Sequence, residues 1–304
     1  MVLGALALEA MIGYPDWLHR RIPHPVALIA AAITALEGRW NHPGRARKLL
    51  GLLTVIAIAG GAAAVGWLIA RAMMFIPYGG VILVFIATLG LAQRSLFDHV
   101  AAVIRAFNAG DLPTARIAVG RIVGRDVAQL DERGVAAATL ESLAESFNDG
   151  VVAPAFWLLL GGLPGLFAYK AVNTADSLIG HMEPRWKDFG WAAARADDLM
   201  NLIPARFAGF LIAVAGRGGW RVMFKDARKH ASPNAGWPEA AMAGALGVQL
   251  GGAAVYDGAR HERPTFGNGP LPMTSDLGRG LMIYLGACWV MWGMLAIGGL
   301  IWRP

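Results

Sequence analysis

Acidic side chains are scarce in this chain, and their placement is its first chemical feature. Of 21 Asp and Glu residues, eleven fall between Asp126 and Asp198, about a quarter of the 304 positions. Glu141, Glu145, Asn148 and Asp149 recur at i, i+4, i+7 and i+8, a spacing that puts side chains on one helix face. Like charges at i, i+4 disfavour a helix by roughly a few tenths of a kcal/mol, so a positive partner is expected. Mg²⁺ suits that role, because it is held by one or two carboxylates together with substrate phosphates. Glu141, Glu145 and Asp149 are its candidate ligands. A solvated helix face is the plainer alternative, but the run leads into an apolar segment at Gly150, where solvation is poor.

Three more polar groups accompany this one. The string YKAVNTADSLIG presents Lys170, Asn173, Thr174, Asp176 and Ser177, and its plainer reading is an interfacial helix with a snorkelling lysine. In ARADDLMNLIPAR, Arg195, Asp197, Asp198, Asn201 and Arg206 surround apolar positions, with Pro204 interrupting. An arginine at membrane depth costs at least about 2.5 kcal/mol, so Arg206 is expected to be paired or phosphate-facing. The string KHASPNAGWPEA places His230 and Asn234 on a turn, followed by Pro238 and Glu239 in the first turn of a helix. IVGRD adds Arg125 and Asp126 beside the conformationally free Gly124, and a guanidinium there could hold phosphate oxygens. The sequence carries no G-x-x-x-x-G-K-[ST] loop, H-E-x-x-H, paired C-x-x-C or G-x-S-x-G. Carboxylates combined with Arg, Lys and amide groups suit a metal-bound phosphorylated ligand, and they name no reaction.

The elements that position these groups must be mostly membrane helices. The chain is 56% hydrophobic and 16% charged, with a mean hydropathy of +0.48, against about 45–50% and about 25% in soluble domains. That composition excludes a disordered chain, a coiled coil and a disulfide-stapled domain, the last because Cys288 is the only cysteine and lies in an apolar run. The net charge is +6, but the 27 Lys and Arg are spread over loops between apolar runs. Basic loops beside spans follow the positive-inside rule, and without a basic stripe or recognition motif no nucleic-acid partner is expected. No secretory signal is read, since no Lys or Arg precedes Arg20 and Glu9 interrupts the apolar start.

Runs 49–69, 72–93 and 280–302 are long enough to cross. Runs 150–169, 202–215 and 240–256 are ambiguous: the first contains Pro154, Gly161, Gly162 and Pro164, the second Arg206, and the third is rich in Gly and Ala. Residues 26–36 are too short to cross. The turn between the first two spans carries only Arg71, whereas their flanks carry Arg45, Arg47, Lys48 and Arg94. The turn is therefore external and the flanks cytoplasmic, which puts the polar stretches 94–149 and 217–279 on the cytoplasmic side. If both middle runs cross, residues 170–201 lie outside; a re-entrant pair is the equal alternative. The expectation is an all-α, polytopic membrane protein with broken or re-entrant helices and cytoplasm-facing helical segments, forming one embedded domain over 1–304.

The same strings resemble the CobD/CbiB family of cobalamin biosynthesis, the adenosylcobinamide-phosphate synthases. The matching segments are PHPV from Pro23, IVGRD from Ile122, ESLAESFNDGVVAP from Glu141, YKAVNTADSLIG from Tyr169, ARADDLMNLIPAR from Ala194, HASPNAGWPEAAMAGALGVQLGG from His230 and SDLGRGLMIY from Ser275. They run nearly end to end in the family's order. Gly13, Tyr14 and Pro15 stand where much of the family has G-D-P, with Asp16 next in line. The family's H-S-S-P-N becomes His230, Ala231, Ser232, Pro233 and Asn234, and residues 260–268 match too loosely to contribute a site residue.

The resemblance implies ATP-dependent amide formation between adenosylcobyric acid, a corrinoid, and (R)-1-amino-2-propanol O-2-phosphate or free aminopropanol, with Mg²⁺ and an acyl phosphate route. It also implies the bacterial inner membrane, a cytoplasm-facing site and other cobalamin-pathway enzymes as partners. On this reading Glu141, Glu145 and Asp149 hold the metal, and Asp197 and Asp198 form a second carboxylate group for the metal or the amine. Lys170, Arg195 and Arg206 neutralise phosphates. Asn148, Asn173, Asp176, His230 and Asn234 orient substrates or move protons, while Arg125, Ser177 and Asn201 complete the binding set. The competing classes are an AmpE-like membrane sensor and a transporter. Retention of all four polar strings counts against the sensor, and the absence of an inverted repeat in the sequence gives the transporter no support.

Overall fold

The computed structural model describes residues 1–14, 24–44, 46–256 and 258–301. Pro15, Asp16, Arg20, Pro23, Arg45 and Trp302 lie outside the described residues. The protein is helical almost throughout, and four helical stretches are long and apolar enough to cross a membrane: Arg47–Met73, Gly79–Asn108, Glu132–Ile179 and Thr274–Ile301. Trp191–Met200 and Leu202–Ala215 qualify together as a broken span. The all-α polytopic architecture is therefore as the composition requires.

The described chain forms two compact units. The first comprises Met1–Ala92 and Asp149–Asn201. It contains α1 (Val2–Ile12), α2 (Pro25–Trp40), α3 (Arg47–Met73), α4 (Gly79–Thr88), α8 (Ala153–Ile179) and α9 (Trp191–Met200). Helix α8 packs along α3, with α2 and α9 against both. Ile33, Val55, Val172, Ile179 and Phe189 bury themselves where these helices meet, whereas Leu52, Leu53, Ile56, Trp67 and Leu68 of α3 point outward. An outward face this apolar is the mark of a membrane helix. The break expected in 150–169 falls at Gly162, which leaves helical geometry at φ 61°, two residues before Pro164. Gly66 of α3 receives that kink, since a Cβ there would overlap the backbone of Leu163 and Pro164.

The second unit comprises Gln93–Asn148 and Leu202–Pro304. Its helices are α5 (Gln93–Asn108), α6 (Leu112–Val119), α7 (Glu132–Phe147), α10 (Leu202–Ala215), α11 (Trp220–Asp226), α12 (Gly236–Leu246) and α13 (Thr274–Ile301). Two small antiparallel pairs join them: β1 (Leu250–Gly251) with β4 (Thr265–Phe266), and β2 (Ala254–Tyr256) with β3 (Ala259–His261). Helix α12 packs on α10 and α11, and Gly219 and Gly244 let the backbones meet where any side chain would collide. Small residues serve close helix contact, which is what the Gly and Ala content of 240–256 indicated.

Two boundaries differ from the sequence reading. The second span begins at Gly79 rather than Ala72, because Met74 to Tyr78 form the turn and Tyr78 takes φ 60° before the helix starts. Residues 240–256 are not one helix: Gly247, at φ 71°, ends α12, and the remainder pairs as strands.

Candidate functional site

The polar residues of the first unit gather on the last turns of α8 and on α9. Tyr169, Asn173, Asp176 and Ser177 stand at i, i+4, i+7 and i+8 of α8, one face of the helix. Asp149 reaches them from a π-helical turn, Asn148–Val152, which widens the helix and resets its register; such turns are common at functional positions. The expected shared face of Glu141, Glu145, Asn148 and Asp149 is thus carried by regular helix only as far as Phe147.

Asn173 ties the cluster together. Its amide Nδ2 donates to Asp149 Oδ2 at 3.4 Å and to Asp197 Oδ1 at 3.3 Å, while its Oδ1 accepts from Lys170 Nζ at 3.3 Å. Asn201, buried at the end of α9, donates to Asp197 Oδ2 at 3.0 Å and accepts from the Tyr169 hydroxyl at 3.1 Å. Asp198 pairs with the exposed Arg195 at 3.0 Å. Ser177 donates to the Asn173 carbonyl at 2.9 Å, so its hydroxyl serves the helix. Four carboxyl groups, those of Asp149, Asp176, Asp197 and Asp198, stand with the basic side chains of Lys170 and Arg195 here, all on half-buried or exposed positions. Two carboxylates bridged by one amide beside a lysine form a donor set that fits Mg²⁺ with phosphate oxygens completing its shell.

The second unit holds the other predicted residues around a cavity of about 390 Å³. Arg125 Nη2 and Arg263 Nη2 reach Glu141 Oε2 at 2.8 and 3.1 Å, and the Gly251 amide donates to Glu141 Oε1 at 2.8 Å. The positive partner expected for the Glu141 and Glu145 pair is therefore supplied to Glu141 by guanidiniums. Among the described residues no group of three or more His, Cys, Asp or Glu is assembled to hold a metal.

His230 and Glu239 line the same cavity, with His230 Nε2 3.7 Å from Glu239 Oε1. Burial lowers the His230 pKa, and the neighbouring Arg263 adds to that. Burial likewise raises Glu239 well above the usual carboxylate range, helped by the charges of Glu145 and Glu141. Burial opposes the charge on Arg263 as well, but Glu141 and Glu239 outweigh it and raise its pKa. Asn234 accepts from Arg206 Nη1 at 3.2 Å, and the Arg206 guanidinium sits 4.9 Å from the Trp237 ring centre. Arg206 is thus paired within the second unit. Asn148 is buried at the end of α7.

The structure brings Asp149, Lys170, Asn173, Asp176, Asp197 and Asn201 together in one unit, and Arg125, Glu141, Glu145 and His230 together in the other. Sequence reasoning placed Glu239 at a helix start without giving it a role, and it missed Arg263 and Tyr169. Glu239 had a visible signal: it is the one acid in a helix that is otherwise apolar or small, GWPEAAMAGAL. Arg263 had none, because it meets Glu141 across a separation of 122 residues.

The sequence matches the model of the CobD/Cbib protein family over residues 2–284. It is 49% identical over 308 residues to the cobalamin biosynthesis protein CobD of Rhodobacter capsulatus, covering 99% of this chain and 96% of that protein. Proteins of the same name from Sinorhizobium sp and Geobacter metallireducens are each 44% identical, covering 96% and 92% of this chain and 95% and 90% of their own lengths. No solved structure matches the chain.

Proposed function

Because the chain belongs to the CobD/CbiB family and so serves cobalamin biosynthesis, we propose that it catalyses ATP-dependent amide formation between adenosylcobyric acid and (R)-1-amino-2-propanol O-2-phosphate. The product is adenosylcobinamide phosphate. A carboxylate is a poor electrophile; the substrate carboxylate attacks the γ-phosphorus of ATP, ADP leaves, the amine attacks the resulting acyl phosphate, and inorganic phosphate leaves as the amine gives up its proton. Catalysis of such a step consists largely of positioning and charge neutralisation.

The observation that carries this reading is the clasp of Asp149 and Asp197 by Asn173 beside Lys170. Asp149 and Asp197 would hold Mg²⁺, which supplies charge neutralisation at the phosphates. Lys170 contributes a point charge to the transferred phosphoryl group, and Arg195, paired with Asp198 at 3.0 Å, adds a second positive charge on α9. Asn201 fixes the Asp197 carboxylate, leaving Asp176 on the same α8 face to take the proton of the amine. Loops flanking the first span carry more basic residues than its distal turn, which supports a cytoplasmic position for the site in the bacterial inner membrane, where ATP is present.

Deletion of the gene should produce a defect in cobalamin synthesis that added cobinamide corrects. A deletion strain with normal corrinoid synthesis would leave a sensor or transporter as the better reading. Asp149→Asn should give a folded protein whose ATP-dependent product formation falls at least about a hundredfold; near-normal turnover would remove Asp149 from the metal-holding pair.

A further inference from the structure

Residues 217–229 of the second unit carry an unbalanced surface charge. The segment follows α10 after Gly216 and runs through α11 into a 3₁₀ turn, Ala227–Lys229. Its basic residues Arg217, Arg221, Lys225, Arg228 and Lys229 are all exposed. Its one acid, Asp226, is buried and pairs with Lys229 at 2.7 Å. Arg217, Arg221, Lys225 and Arg228 have no ion-pair partner among the described residues. Arg221, Lys225 and Arg228 follow at i, i+4 and i+7, which sets them along one strip. Like charges at this spacing repel one another, and an external anion relieves that repulsion.

The remaining exposed side chains of the segment are aromatic. Trp220 and Phe224 stand at i and i+4 of α11, and Phe224 is 64% exposed. Met223 and Ala227 are buried on the opposite side, so rings and cations face away from the core of the unit. Trp220 meets Phe210 of α10 with ring centres 5.5 Å apart. Phe210, like Ile203 two turns earlier, is itself exposed, so the rings of α11 continue the outward apolar face of α10. Trp is enriched where a membrane meets water, and clusters of Lys and Arg just beyond a span attract anionic lipids.

We infer that residues 217–229 form a docking surface for the headgroup phosphates of anionic phospholipids. Arg221, Lys225 and Arg228 meet the phosphates, and Trp220 and Phe224 enter the adjoining hydrocarbon. Guanidinium groups suit phosphate oxygens because they offer paired donors along with charge. A nucleic acid also offers phosphates, but it would leave the apolar face shared by α10 and α11 uncovered, whereas a lipid layer covers both. The surface lies outside both polar clusters and needs neither ATP nor amide synthesis. It fixes the corner between α10 and α11 at the membrane boundary.

The test is equilibrium binding of acyl-labelled phosphatidylglycerol to the full-length protein in nonionic micelles, with phosphatidylcholine of the same acyl chains as the zwitterionic control. Saturable binding is expected, at least about tenfold tighter for phosphatidylglycerol and weakened several-fold in about 0.5 M NaCl. Each basic residue at such a surface is worth about fivefold, so the triple variant Arg221→Gln, Lys225→Gln, Arg228→Gln should bind at least about tenfold more weakly. Arg133→Gln, at an exposed position of α7, removes one charge elsewhere and should stay within about twofold. If the triple variant does not fold, Lys225→Gln alone must weaken binding by about fivefold. Equal affinity for the two lipids, full affinity in the triple or Lys225→Gln protein, or an equal loss with Arg133→Gln overturns the assignment. Retention of a bound single-stranded oligonucleotide against excess phosphatidylglycerol would assign the surface to nucleic acid and overturn it as well.

Discussion

Asn173 and Glu141 organise the two polar clusters in opposite ways. Asn173 is a neutral side chain that shares two donor contacts between Asp149 and Asp197 and accepts from Lys170, so it sets carboxylates side by side without neutralising them. Asn173→Ala should cut ATP-dependent product formation at least about a hundredfold with little change in thermal stability, as read by activity and melting of the same sample. Glu141 is instead saturated, with Arg125, Arg263 and the Gly251 amide on its two oxygens. Its pair with Arg125 is deeply buried, at 5% and 8% side-chain exposure. Arg125→Ala should therefore destabilise the folded protein by about 3 kcal/mol, measured by unfolding in mixed micelles; a change below about 1 kcal/mol would show that Arg263 alone suffices. The residue types of both clusters were legible in the sequence because acids are rare in an apolar chain. Partners that arrive from distant segments, such as Arg263, leave no local spacing to read.

At the scale of elements, breaks matter more than spans. Gly162 bends α8 at φ 61°, and Gly66 of α3 gives the kink room. Gly162, at φ 61° and ψ −152°, occupies backbone space open essentially to glycine alone, so Gly162→Ala should cost about 1–3 kcal/mol and lower the melting temperature while leaving the helix content unchanged. Glu37, near the end of α2, accepts both Arg185 Nε and Nη2 at 3.1 Å and Asn41 Nδ2 at 2.9 Å. The Arg185 hydrogen bond lowers its pKa below 4.5 against the opposing effect of burial. A depressed carboxylate contributes stability above its ordinary pKa and loses it as pH falls through the folded value. Because Arg185 is 64% exposed, the contribution is about 1 kcal/mol or less. Melting temperatures of the unaltered protein and Glu37→Gln should thus differ most above pH 4.5 and converge below it; a constant offset would rule out this linkage. The Pro and Gly residues of 150–169 signalled a break, which falls at Gly162, whereas the run 202–215 stayed ambiguous because it is only the second half of a broken span candidate. Periodicity and length failed at 240–256, where the apolar run gave no sign that Gly247 would turn left-handed and hand the chain to strands paired with residues 259–266.

For the whole molecule, low charge identified a membrane protein, and the polar strings carried the family resemblance that the comparisons bear out. Each compact unit keeps its own charge-rich cluster among apolar helices, an arrangement no linear reading separates, because residues 148 and 149 are neighbours in sequence yet belong to different units. The most direct measurement combines the purified full-length protein in micelles with ATP, Mg²⁺, adenosylcobyric acid and (R)-1-amino-2-propanol O-2-phosphate, and follows product and ADP together by mass spectrometry. Adenosylcobinamide phosphate should form with one ADP per amide, and both should vanish with folded Asp149→Asn and Asp197→Asn proteins. Product formed without ATP, or no product from a folded, unaltered protein, would contradict the assignment of an ATP-dependent amide synthase.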